Sequence, residues 1–314
     1  MAARRAVFFG TPEISARHLR AILDGEFRIE AVVTQPDRPR GRGRIVSAPP
    51  TKEVALQEGI RVLQPEKLTP EFVETLRDVG PDVIVVVACA HYLPRSVLEM
   101  PPLGCVNVHF SLRPELRGAA PVFWAIRRGY EKTGVTTSYM VEELDAGDVI
   151  LQREEAIRPE DTTATLTDRL TDVGCEVLRE TLSLLAEGRA PRRPQDDAAA
   201  TWAPTIKKEE GRIAWNESAV EIERQVRACD PWPGAYTFWM GRLLKVRRAK
   251  TATDFPSVEG KPGTVVELHQ QNGVCVLAGS GAVRLMEVVP AGRRPMSAYA
   301  FACGARMEVG MSFD

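Results

Sequence analysis

Three residue types that handle protons and oxyanions lie close together in GCVNVHFSLRPELRGAAP, residues 104–121. Asn107 and His109 flank Val108, so on a regular strand both project from one face. Ser111 follows as the chain leaves that strand. An amide there donates a hydrogen bond to a developing oxyanion, and an imidazole takes up or returns a proton. A carboxylate is available in EELDAGDVI, residues 142–150, where Asp145 and Asp148 flank Ala-Gly just ahead of another strand-like run. Next to an imidazole, a carboxylate favours the protonated ring. No G-x-S-x-G elbow accompanies these groups, Cys105 reads as a small core residue, and Ser111 is only a weak nucleophile. The set therefore suits direct transfer between two bound substrates. If the acceptor is an amine it must also lose a proton, and an α-amino group has a pKa of about 8. The competing reading is a hydrogen-bonded asparagine and histidine in a core, which periodicity alone does not separate from a catalytic pair.

The elements that must hold these residues follow from apolar patterning. AVFF (6–9), EAVVTQ (30–35), VIVVV (83–87) and CVNVHF (105–110) read as strands, with helices expected near 12–23, 51–58, 69–79 and 94–100. Apolar strands separated by helices imply a parallel sheet covered on both faces, a doubly wound, Rossmann-like α/β domain. Ligands of such a domain collect at the carboxyl ends of strands, where His109 falls. Apolar residues at helical spacing predict a long helix over 165–186. EGRAPRRPQDDAAATWAP then breaks the periodicity. These features divide the chain into a catalytic domain at 1–189, a linker at 190–206 and a second domain at 207–314. In the last, an amphipathic helix at 218–229 precedes short strands, the pattern of a small OB-like β-barrel.

The chain has 314 residues, 44% of them hydrophobic, and a net charge of −1, which suits a globular protein without a strong global field. No apolar run approaches the roughly 20 residues of a membrane span. The amino terminus turns at once into a strand, which leaves no signal peptide and implies a cytoplasmic address. Six cysteines without a C-x-x-C pair read as small core residues, and no metal site is expected. The turn after the first strand is GTPEIS, not G-x-G-x-x-G, and no P-loop occurs, so nicotinamide and nucleoside triphosphate chemistries lose their support. Positive charge is local, in DRPRGRGR (37–44), KK (207–208) and KVRRAK (245–250).

NVHFSLRPELRGAAPV, with LDAGD about thirty residues later, resembles the folate-dependent formyltransferases, whose pattern is Asn-x-His-x-Ser-Leu-Leu-Pro followed by Leu-Asp-x-Gly. FFGTPEISARHL, VVTQPDRPRGRGR, TWAPTIKKEEGRIAW and DPWPGAY extend the resemblance over nearly the whole chain and narrow it to the members that act on methionyl initiator tRNA. It implies that Asn107 and His109 stabilise the tetrahedral intermediate and that Asp145 orients and charge-compensates His109. It also implies that Ser111, Leu112, Arg113 and Pro114 border the folate, with 10-formyltetrahydrofolate as co-substrate and no metal. At Arg113 this chain departs from the pattern, which has leucine, and ACAHYLP (88–94) replaces a usual Ala-Tyr-Gly run.

Arg38, Arg40, Arg42 and Arg44 alternate with proline and glycine, making a flexible, positively charged segment unable to pack a core. With Lys207, Lys208, Arg247 and Arg248 they are candidates to contact the acceptor stem of the tRNA, whose phosphates make such binding salt-dependent. The bland alternative is a solvated surface loop. Two other functions compete with formylation of initiator tRNA: formyl transfer to an amino sugar nucleotide, which would use the same trio, and non-catalytic tRNA binding on an enzyme fold. With no coiled-coil or exposed apolar seam, a monomer is expected.

Overall fold

Runs of valine, isoleucine and phenylalanine form the strands the sequence marks out, and threonines form others that it hides. The computed structural model describes residues 4–40, 45–256 and 259–314. In chain order the elements are β1 (Arg4–Gly10), α1 (Glu13–Ala21), β2 (Phe27–Val33), β3 (Arg38–Arg40), β4 (Ile45–Ser47), α2 (Pro50–Gln57), β5 (Arg61–Leu63), α3 (Pro70–Val79), β6 (Val83–Val87), α4 (Arg95–Leu98) and β7 (Cys105–His109). They continue with α5 (Pro121–Arg128), β8 (Lys132–Tyr139), β9 (Val149–Ala156) and α6 (Thr163–Ala186). The carboxyl-terminal part holds α7 (Ala219–Ala228), β10 (Ala235–Trp239), β11 (Arg242–Thr251), β12 (Val265–His269), β13 (Gly273–Leu277), β14 (Ala282–Pro290), β15 (Met296–Ser297) and α8 (Ala298–Gly304).

The chain divides into two units. The first takes residues up to Pro121, Lys132–Ala156 and Thr167–Ala203; the second takes Val122–Glu131, Ile157–Leu166 and Pro204–Asp314. The stretch read as a linker, 190–206, thus lies mostly in the first unit. There Arg193 exchanges backbone hydrogen bonds with Val149, and Arg117 N–H donates to Thr201 O at 2.8 Å.

The first unit is built on a seven-stranded sheet in the order β5-β2-β1-β6-β7-β8-β9. Pairing is parallel from β5 through β7, as the apolar runs imply, while β8 and β9 are antiparallel. The sheet is therefore mixed rather than wholly parallel. Nine residues, 140–148, join β8 to β9. A parallel crossover needs about a dozen or more, so β9 must return antiparallel. Strand order reverses between β1 and β6, which opens a crevice at their carboxyl ends beside His109.

Val7, Phe9, Ile84, Val86, Val73 and Leu76 share a core on one side of the sheet. β8 escapes a hydropathy reading because its buried residues include Thr133, Thr136, Thr137 and Ser138. Two of these hydroxyls are absorbed by hydrogen bonds across the fold: Thr136 Oγ1 donates to Ser111 O at 2.6 Å, and Thr137 Oγ1 meets Thr181 Oγ1 at 2.7 Å. Among the described residues no helix is long and apolar enough to cross a membrane.

The second unit is a separate antiparallel β domain. Its strands pair in the order β10-β11-β14-β13-β12, with β15 on β14. α7 begins at Ser218 with a reciprocal capping box to Glu221. Cys229 and Cys275 are buried here, as Cys105 is in the first unit, and all six cysteines are free.

α6 passes close to α1 at Gly174. His18 on α1 is buried; its Nδ1–H donates to Ile14 O at 2.8 Å, and Nε2 has no partner. A Cβ on Gly174 would stand 2.5 Å from that Nε2 and 3.3 Å from Phe110 Cε1. Alanine is the better helix former by about 1 kcal/mol. Overpacking a rigid ring against a helix costs about 1–3 kcal/mol, and here it dominates. We expect Gly174→Ala to lower Tm by several degrees in thermal unfolding; an unchanged or raised Tm would show that helix propensity wins.

Candidate active site

His109 closes β7, and the loop that follows folds back over it. Leu116 takes a left-handed backbone, φ 57°, and its carbonyl lies 2.9 Å from His109 Nε2. A carbonyl only accepts, so Nε2 carries the proton and donates it there. Nδ1 is left as the nitrogen that gains or loses a proton, and it faces Asp145 Oδ2 at 3.7 Å. That distance is beyond hydrogen-bond reach and within charge contact. Of the two candidate aspartates, Asp145 meets the histidine, while Asp148 lies 3.9 Å from Arg192. Asn107 sits two residues back on β7, partly exposed. No hydrogen bond from its side chain occurs among the described residues, so its amide is free to bind a ligand.

The loop between β8 and β9 presents Asp145 through local geometry. Asp145 adopts φ 62°, and Gly147 passes so close to β8 that a Cβ there would meet Tyr139 O at 1.9 Å. Asp145 Oδ2 accepts from Gly118 N–H at 2.8 Å, and Oδ1 lies 2.5 Å from Arg113 Nη2. Arg113 Nη1 donates to the Asp145 carbonyl, which also accepts from Gln195 Nε2 at 2.9 Å. Gln195 Oε1 in turn accepts from the buried Arg117, whose Nη2 reaches Asp197 at 2.6 Å.

Sequence reasoning brought Asn107, His109 and Asp145 together but missed Gln195, Arg117 and the Gly118 N–H. Arg117 and Gly118 lay unread inside RGAAP, and Gln195 lay in a stretch whose proline and charge read as linker.

The residues expected to border folate follow His109 directly. Ser111 is buried and donates to Glu115 O at 2.6 Å, while Leu112 and Pro114 are partly exposed. The Arg113 side chain is buried and turned onto Asp145. At the neighbouring end of β6, His91 approaches Pro65 O at 3.2 Å and Gln35 Nε2 at 3.3 Å.

The basic residues expected to meet tRNA belong to both units. Arg38 and Arg40 lie on β3, which pairs with β4 as a short hairpin rather than a plain loop. Arg42 and Arg44 lie outside the described residues. Lys207 and Lys208 are exposed. Arg247 and Arg248, also exposed, line a cleft of about 460 Å³ within the second unit, together with Lys250, Glu223 and Glu287.

Burial acts first on the His109 ring, and with the charge of Arg113 it outweighs Asp145 and the Leu116 carbonyl, pushing its pKa down to about 4. Burial would raise Asp145; the positive charges beside it, His109 when protonated and Arg113 at every pH, and the Gly118 N–H hold it below the usual carboxylate range. Burial likewise pushes His18 down to about 4. Both histidines thus bind a proton more weakly folded than unfolded, so the unfolded chain is the first to protonate as pH falls. Their contribution is complete above about pH 6.5 and is lost progressively towards pH 4. We expect unfolding free energy to drop across that window, by on the order of 2 kcal/mol or more. His109→Asn should flatten the slope in denaturant titrations; an unaltered slope would contradict a neutral buried ring.

With this geometry established, comparison with known proteins is direct. A family model described as "Formyl transferase" matches residues 3–182, and one described as "Formyl transferase, C-terminal domain" matches residues 205–306. The chain is 47% identical over 307 residues to the methionyl-tRNA formyltransferase of Moorella thermoacetica, covering 98% of each chain. It is 42% identical to that of Geobacter sulfurreducens, covering 99% of this chain and 96% of the relative. Among solved structures, WlaRD, a sugar 3N-formyl transferase, matches with a TM-score of 0.68 at 15% identity, over 94% of this chain and all of that one. HypX from Aquifex aeolicus in complex with tetrahydrofolic acid matches with a TM-score of 0.64 at 21% identity. That match covers 96% of this chain, which spans about half the length of HypX. Matched in order by both domain models and nearly end to end by its relatives, the chain belongs to the formyl transferase family, in the branch of the methionyl-tRNA formyltransferases.

Proposed function

We propose that this protein transfers the formyl group of 10-formyltetrahydrofolate to the α-amino group of methionine carried on initiator tRNA. The observation that carries the reading is the buried His109 3.7 Å from Asp145, two residues after Asn107 on the same strand, in a chain 47% identical to a methionyl-tRNA formyltransferase over almost its full length. The family and the fold shared with a tetrahydrofolate-bound neighbour support folate as the formyl donor.

The residues divide the chemistry between them. The amine nitrogen adds to the formyl carbon, and negative charge grows on the formyl oxygen. Asn107 donates a hydrogen bond to that oxygen, an interaction that strengthens as the charge develops. His109 Nδ1, bare because Nε2–H is engaged by Leu116 O, accepts the amine proton. Asp145 then faces an imidazolium at 3.7 Å and balances its charge. The bond between the formyl carbon and the donor nitrogen breaks, and the proton passes from His109 to that nitrogen. Ser111, Leu112, Arg113 and Pro114 border the donor, with Leu112 and Pro114 offering the accessible surface.

On the acceptor side, Arg38, Arg40, Arg42, Arg44, Lys207, Lys208, Arg247 and Arg248 contact the tRNA acceptor stem. Phosphate contacts by such residues fix register and carry most of the salt dependence.

The decisive assay offers the purified protein methionyl initiator tRNA, methionyl elongator tRNA and an amino sugar nucleotide with the same formyl donor. We expect formyl-methionine on the initiator tRNA; formylation of the sugar alone, or of nothing, would overturn the reading. His109→Ala is expected to lower kcat by about 10²–10⁴-fold. Asn107→Ala should lower it by about 10²–10³-fold. Both should leave the Kd for tRNA within about 3-fold, since neither touches phosphate. By contrast, the double change Arg247→Ala, Arg248→Ala should raise KM for tRNA and flatten its rise with salt, with kcat preserved; an unchanged salt slope would remove these two from the interface.

A further inference from the structure

An arginine whose side chain is 0% exposed is the least expected member of this site. Arg113 is anchored at both ends of its backbone: its N–H donates to Thr136 Oγ1 at 3.2 Å, and its carbonyl accepts from Gln152 Nε2 at 2.8 Å. β8 and β9 thereby fix where the side chain starts, and among the described residues the guanidinium pairs with the Asp145 carboxylate. Nη2 faces Asp145 Oδ1 at 2.5 Å, in charge contact rather than hydrogen-bond alignment, and Nη1 donates to the Asp145 carbonyl. The carboxylate is thus divided, Oδ1 to Arg113 and Oδ2 to Gly118 N–H and His109. A buried ion pair is poor evidence of stability, since desolvation offsets much of the attraction. The benefit must be sought in what the pair does to its neighbour.

That neighbour is His109. The charged groups around it are Asp145 from the β8–β9 loop, Arg113 from its own loop, and Arg117 behind Arg113 in contact with Asp197. Without Arg113 the ring would face a buried carboxylate alone, an arrangement that draws a proton onto imidazole. With Arg113 that carboxylate is already neutralised. Burial of the ring acts in the same direction.

We propose that Arg113 is a positioning residue of this site: it fixes which oxygen of Asp145 meets His109 and, through its charge, keeps the imidazole neutral so that Nδ1 enters the reaction as a proton acceptor. The inference rests on the reading of His109 as the proton-accepting group. A leucine here, as in the related pattern, would leave His109 more basic, so two members sharing the same trio would differ in the pH range over which they work.

The test follows the His109 ring by nitrogen-15 NMR in the intact protein, with its signals assigned through His109→Asn. In the unaltered protein we expect a neutral Nε2–H ring throughout pH 5 to 8. In Arg113→Leu the ring should titrate within that range, its midpoint raised by about 1 unit or more. Arg113→Lys, which keeps the charge, should restore a neutral ring. A midpoint in Arg113→Leu that stays below pH 5 overturns the proposal. Arg113→Gln serves in the same way should the leucine variant fail to fold. The kinetic counterpart is a kcat defect that grows as pH falls, about twofold or more larger at the raised midpoint than at pH 8. A loss equal at both pH values would mark a merely structural role and also overturn the proposal. Because the ring titration needs no turnover, it stands or falls separately from the identity of the substrates.

Discussion

One buried carboxylate organises this site. Asp145 is held by an arginine side chain and a backbone N–H from the loop after β7 and by the imidazole that ends β7. Isolated in a low-dielectric setting, the charge would be expelled or protonated. Surrounded as it is, it remains ionised and orders everything near it. The left-handed conformations at Leu116 and Asp145 each cost about 1 kcal/mol or more and persist because these contacts over-determine them.

The sheet explains why these groups meet at all. β7 delivers His109 at its carboxyl end, next to the point where strand order reverses, and the loop between β8 and β9 reaches back to set Asp145 3.7 Å from the ring. Antiparallel pairing at β8 starts that loop at the amino end of β7, where Tyr139 lies opposite Val106. Nine residues, 140–148, are enough for that return and too few for the crossover of a parallel connection.

Much of this was legible in the sequence, for identifiable reasons. Apolar strands such as VIVVV announce themselves, and the alternation of Asn107 and His109 gives their shared face. β8 does not announce itself, because Thr136 and Thr137 satisfy their hydroxyls through tertiary hydrogen bonds that no local pattern encodes. Asp145 could be named only through resemblance, since spacing treats it and Asp148 alike. Arg113 matched a motif position bordering the folate, yet its side chain turns inward to Asp145, a choice set by β8 and β9. The two-residue separation of Gln195 from Arg193 carries no periodic signal, and only the fold reveals that this segment finishes the site.

That segment bears on where the first unit ends. Composition suggested that the catalytic part is finished by residue 189, with a spacer after it. Residues 193–203 instead supply the Gln195 amide that braces the Asp145 carbonyl, the Gln195 and Asp197 oxygens that satisfy the buried Arg117 guanidinium, and the backbone edge that Arg117 and Val149 bond. A chain trimmed at 189 would keep every residue of the trio and strand a positive charge in the interior beneath it. The compact unit that carries the site is therefore longer than its catalytic motif implies, and a domain exchange that keeps Gln195 and Asp197 with the site has to place the junction beyond Ala203.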